Sequence, residues 1–148
     1  MKTSTLVAGA VAMALTVTMV VVQAETGSGT ASAKGVAYAS ADKATFTEKM
    51  PGVSMATVWG DPEKGAHGTL TKFVPGWDGG MHTHSSALTL VVIKGAYLYK
   101  DEAGEKRVGA GEVLHIPAGH KHWSGGDKTD GALFYEEGAG KFDKIDAK

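Results

Sequence analysis

The chain has 148 residues, 15 basic against 16 acidic side chains, a formal charge of −1 and no cysteine. A single domain is expected at this length, the balanced charge with no basic stripe argues against a nucleic-acid partner, and no disulfide can support the fold. Twenty-one glycines scattered among short apolar runs favour tight turns, and so an all-β domain.

The first segment is set apart from the fold. Lys2 precedes an uncharged run over residues 3–24, and Val22-Gln23-Ala24 is a small-residue cleavage pattern. That is the layout of a secretory signal peptide over residues 1–24, which predicts a periplasmic or secreted protein with no stable membrane association after cleavage. An uncleaved membrane anchor is the alternative, since the apolar run is only just short of a span. Residues 25–41, "ETGSGTASAKGVAYASA", are small and polar without periodicity and read as a flexible tether, although Val36 and Tyr38 offer side chains to dock on a domain edge. The folded domain is placed at residues 42–148.

Strand candidates then follow in order, each closed by a turn signal. Residues 53–59 end at "GDPEKG" and residues 68–74 at "PGWDGG". Residues 87–93, "ALTLVVI", are almost wholly apolar, which predicts a strand buried on both faces that ends at Lys94-Gly95. Residues 96–100 form a separate strand with Tyr97 and Tyr99 on one face. Residues 113–116, 121–124 and 132–136 complete the set. Short strands at close intervals, with no amphipathic helical stretch, argue a β-sandwich or closed barrel.

Five of the six histidines lie in two stretches, "GMHTHSSAL" and "GEVLHIPAGHKHWSGG". His82 and His84, at i and i+2 on an extended segment, project to one face and can aim their rings at one ion. Alone, that pair looks like any two polar residues on an exposed strand. In the second stretch Pro117 ends a strand by withholding a ladder donor, and Gly119 permits a tight reversal that brings His122 back beside its end.

These residues resemble the two motifs of the cupin superfamily. Gly111, Pro117, Gly119 and His122 match G-x5-P-x-G-x2-H-x3-N, with Gly126 in place of the asparagine. His82, His84 and Gly95 match G-x5-H-x-H-x3,4-E-x6-G, with Gly76 as its leading glycine. The resemblance implies a single antiparallel jelly-roll β-barrel whose ligands point into a cavity. The motif glutamate is missing, because its place falls on Leu88 or Thr89. The implied metal ligands are therefore His82, His84 and His122, three neutral imidazoles suited to Fe, Zn, Cu or Ni rather than to harder ions. Some cupin thiol dioxygenases are similar in using three histidines with iron. The expected function is an exported metal-binding cupin, a dioxygenase-like metalloenzyme acting on a small molecule in the barrel cavity; the alternative is a non-catalytic metal or small-ligand binding protein. No general base is identifiable. Pairing of two barrels through an open edge would give a homodimer.

The remaining candidates are weighed individually. If Phe134 faces the core, alternation sends Glu136 inward as well, at a cost unless it is paired or metal-bound. If Tyr135 faces the core instead, Glu136 is a solvated edge residue, the less costly setting. His115 is expected to be a hydrogen-bonded core residue, with a cavity role as the alternative; His120 is expected to be solvated at a turn, and His67 exposed at a strand start. Trp77 is placed on a loop at the barrel mouth. Phe73, Tyr97, Tyr99 and Trp123 are expected in the barrel core or rim.

Overall fold

A computed structural model describes residues 35–147. The expected signal peptide at 1–24 and most of the expected tether at 25–41 lie outside the described residues. Val36 and Tyr38, within them, dock on nothing, being 101% and 88% exposed.

The described residues form ten strands: β1 (Thr47–Met50), β2 (Val53–Gly60), β3 (His67–Phe73), β4 (Asp78–Thr83), β5 (Leu88–Asp101), β6 (Gly104–Gly109), β7 (Val113–Ile116), β8 (His122–Gly126), β9 (Ala132–Gly138) and β10 (Ile145–Asp146). All pairings are antiparallel. The order is β1-β2-β3-β9-β5-β8-β4-β10, with β6 and β7 attached to β5. This sheet curls on itself as a single jelly-roll barrel, the all-β architecture expected.

Strand β5 corrects two expectations. Residues 87–93 and 96–100 are not separate strands: β5 runs through both, with a register shift between Val92 and Lys94. Gly95 carries it past the bend at φ 71°, and a Cβ there would lie 2.3 Å from the Gly131 carbonyl oxygen. Only glycine tolerates both conditions. The near end of β5 pairs with β9 and β7, the far end with β6 and β8, so this one strand ties the barrel's halves together. Nor is its first half buried on both sides. Leu88, Leu90 and Val92 face the core, while Thr89 is exposed and Ile93 is 42% exposed. One face of the curled sheet meets solvent, as antiparallel sheets permit.

The core lies between the curled faces. Phe73 meets Phe134 edge-on at 4.9 Å and Trp77 at 4.1 Å, and Tyr97 meets Phe134 edge-on at 5.3 Å. Val53, Met55, Leu90, Val92 and Ile116 fill the rest. Tyr97 and Tyr99 share the inward face as expected. Trp123 instead packs half-buried on the outer side, its indole N–H donating to Asp78.

Candidate metal centre

The two histidine stretches meet because β4 pairs with β8 in a register that sets His82 directly opposite His122. His84 lies just past the end of β4. Its carbonyl accepts the Gly119 N–H at 2.8 Å, so the Pro117–Gly119 reversal is fastened to the first stretch. All three histidines are buried, at 2%, 6% and 0% exposure for His82, His84 and His122. One ring nitrogen from each falls within 4.8 Å of the other two, a grouping that can hold a metal ion.

Hydrogen bonds decide which nitrogens these are. Nδ1 of His82 donates to the Gly80 carbonyl at 2.8 Å and Nδ1 of His122 to the His120 carbonyl at 2.9 Å; Nδ1 of His84 donates to the Asp143 carbonyl. A carbonyl oxygen only accepts, so each Nδ1 carries the proton and each Nε2 keeps its lone pair. Nε2 of His122 is buried and has no hydrogen-bond partner among the described residues. An orphaned lone pair of this kind, beside two more of the same orientation, fits a divalent ion and is costly otherwise.

Burial also favours the neutral imidazole. It pushes His82 down to about 4, and it depresses His84 and His122 against the opposing pull of their carbonyl bonds. All three rings are neutral at pH 7 and need release no proton to coordinate. Behind them, Tyr99 stacks on His122 at 5.5 Å and 18°. The Tyr99 hydroxyl and His120 Nε2 both bond Asp101 Oδ2, at 2.8 and 3.0 Å. These two bonds hold the Asp101 carboxyl down to about 2. His120 is exposed as expected, yet its carbonyl and its ring link His122 to this support.

The C-terminal segment covers the site. Phe142 packs on His84 at 5.9 Å, Asp143 Oδ1 accepts the Ser85 N–H at 2.8 Å, and β10 pairs Asp146 with His82. His82, His84, Phe142 and Lys144 line a cavity of about 30 Å³, room for about one or two water molecules. Met55, Leu88, Phe73 and Phe134 make much of its wall apolar, and Trp77 lines it from a loop as expected.

Three expectations fail here. Glu136 is not a solvated edge residue: Phe134 faces the core, so Glu136 does too, 3% exposed and lining the same cavity. His67 begins a strand but is wholly buried, its Nδ1 donating to the Gly65 carbonyl at 3.0 Å and its Nε2 without a partner among the described residues. His115 is neither core nor cavity residue; it is exposed, with Nδ1 bonded to the Thr89 hydroxyl at 2.9 Å. The inward set His67, Thr69, Thr71, Phe73 on β3 is mixed in polarity, so alternation alone carried no sign of which side was inside.

A family model described as "Domain of unknown function (DUF4437)" matches residues 40–147. The chain belongs to this DUF4437 family. Comparison with curated proteins yields no match. Among solved structures, the polyketide cyclase RemF from Streptomyces resistomycificus is similar at TM-score 0.63 and 15% identity, over 77% of this chain and 87% of that one. KdgF from Halomonas sp. is similar at 0.55 and 20%, over 66% and 90%. An RmlC-like cupin from Shewanella frigidimarina is similar at 0.56 and 17%, over 69% and 89%. At such identities the likeness concerns the fold, and the fold of this DUF4437 chain is that of a cupin.

Proposed function

We propose that this DUF4437 protein is an exported metal-binding cupin in which His82, His84 and His122 hold a divalent transition metal through Nε2. One observation carries the reading: three buried imidazoles turn their proton-free nitrogens to within 4.8 Å of one another, while backbone carbonyls hold the other nitrogens. When bound, such an ion supplies Lewis acidity and, for iron or copper, electron transfer.

The chain's own residues define the rest. Three neutral ligands leave the charge of a divalent ion undiminished, which favours a small oxygen or anionic ligand beside it. Phe142, Leu88 and Met55 give the cavity beside the histidines an apolar wall, where charges are screened less than in bulk water. Structures similar in fold include enzymes, as the name of the polyketide cyclase RemF and the description of one match among DMSP lyases state. A dioxygenase-like reaction on a small substrate is the catalytic form of this reading.

The cavity's size favours a second form, a binding protein without turnover, since a substrate of ordinary size needs far more space. Metal analysis of protein purified without a histidine tag, followed by cobalt titration, tests the common ground. The wild type is expected to take up one equivalent, and His82→Ala, His84→Ala and His122→Ala none. Failure of the wild type to bind cobalt, zinc and iron would overturn the reading. The visible spectrum of the cobalt protein separates the two forms. Closed four-coordinate geometry favours storage, and five or six ligands favour catalysis. Export through residues 1–24 is tested by N-terminal sequencing of the secreted protein, expected to begin at Glu25.

A further inference from the structure

Among the described residues the barrel contains one buried acid, and its surroundings account for only part of it. Glu136 sits on β9 two residues after Phe134, and its side chain turns inward on the same face as that ring. The Thr71 hydroxyl donates to Oε1 at 2.9 Å and the Thr69 hydroxyl to the same oxygen at 3.2 Å. Both threonines are buried, at 0% and 1% exposure. No ion pair among the described residues includes Glu136. Lys144 shares the cavity but pairs with Asp146.

Burying a carboxyl with hydroxyl donors alone is costly once it ionises. Burial accordingly pushes Glu136 up, against the pull of Thr71, His67 and Thr69. The structure thus places an acid without an ion pair on the wall of the cavity of about 30 Å³ that His82 and His84 also line, and His122 groups with those two uncharged imidazoles directly across from His82. Each supplies what the other lacks.

We propose that Glu136 is the carboxylate of the centre: it balances the charge of a divalent cation on the three imidazoles, and it hydrogen-bonds a water-sized ligand held between them. This rests on the three-histidine reading and extends it. The carboxylate that Leu88 and Thr89 cannot provide comes from β9, some fifty residues later in the chain. It acts across the cavity on the ligand rather than from the histidine segment. The ligand class follows. A water or hydroxide fits between the poles, while a second anion must compete with Glu136.

The test compares wild type, Glu136→Gln and Glu136→Asp, using Co²⁺ as metal and azide as added anion. Glutamine reproduces the uncharged carboxyl in shape, so the metal-free fold is retained, as a thermal melt checks. Glu136→Gln is expected to bind cobalt at least about tenfold more weakly than wild type, in the range seen when a supporting carboxylate is lost. The cobalt-loaded variant is expected to bind azide more tightly. Opposite movement of cation and anion affinity is the signature of a charge; a merely structural role would weaken both. Glu136→Asp is expected to keep cobalt affinity nearer wild type than Glu136→Gln does. Cobalt and azide affinities that match wild type in Glu136→Gln, or that fall together, would overturn the role of Glu136 and leave the histidine centre standing. If wild type itself takes up no cobalt, the histidine reading fails and takes this proposal with it.

Discussion

At the residue scale, the carbonyl bonds to Nδ1 do as much for the site as the rings themselves. They fix the tautomer and aim each Nε2, work that in metal sites is done by partners behind the ligands. Burial sets the pH behaviour. His82, pushed down to about 4, binds no proton in the fold where an unfolded histidine with its usual value near 6.5 does. Between those values the unfolded chain carries more protons, so stability rises with pH. The metal-free protein is therefore expected to lose melting temperature steadily as pH falls from about 6.5 toward 4, with His82→Gln flattening the slope; thermal melts across that range check it. Asp101 works in the opposite part of the scale. Its carboxyl, held down to about 2 by Tyr99 and then His120, contributes stability above the usual carboxylate value that is lost as pH falls toward 2. Asp101→Asn is expected to lower the melting temperature at pH 7 and to weaken cobalt binding severalfold, because the support behind His122 loosens; the melting difference shrinks on acidification below about pH 4.

At the element scale, β5 and the C-terminal segment carry the design. Gly95→Ala places a side chain at φ 71° and against the Gly131 oxygen, so a loss of about 2 kcal/mol or more is expected in urea unfolding. The segment from Phe142 to β10 covers the histidines through the Asp143 carbonyl, the Phe142 ring and the pairing of β10 with β4. Truncation after Lys141 is expected to lower cobalt affinity about tenfold or more and to speed metal exchange, measured by transfer to a chelator. Little of this was legible in the sequence. The segment Gly138 to Asp143, "GAGKFD", shows no periodicity, and β10 has only two residues. Its backbone carbonyl, not a side chain, holds His84, and a carbonyl has no signature in a sequence. The apolar run of residues 87–93 misled for a related reason. Val91 and Ile93 look like core residues, but burial depends on whether another layer covers that side, which local composition does not record.

At the scale of the whole molecule, metal and fold are expected to be linked. An ion that binds the native state and not the unfolded chain adds about 2.7 kcal/mol at one hundred times its dissociation constant. For a domain of this size that corresponds to a rise of about 10 °C in melting temperature. Differential scanning calorimetry with and without zinc checks it, and a chelator should reverse the rise. His122→Ala should remove the metal-dependent rise, and its metal-free melt should be lower than that of wild type because the buried ring is lost.

Turn chemistry was enough to mark a strand-rich all-β domain and the reversal at Pro117–Gly119, because turns are local properties of the chain, and the resemblance to the cupin motifs singled out the barrel and His82, His84 and His122. Two things required the folded molecule. The first was the meeting of His82 with His122, which depends on strand register across forty residues of sequence. The second was the inward setting of Glu136 and His67. A strand alternates whichever way it faces, and only packing against the opposite wall of the barrel chooses the side.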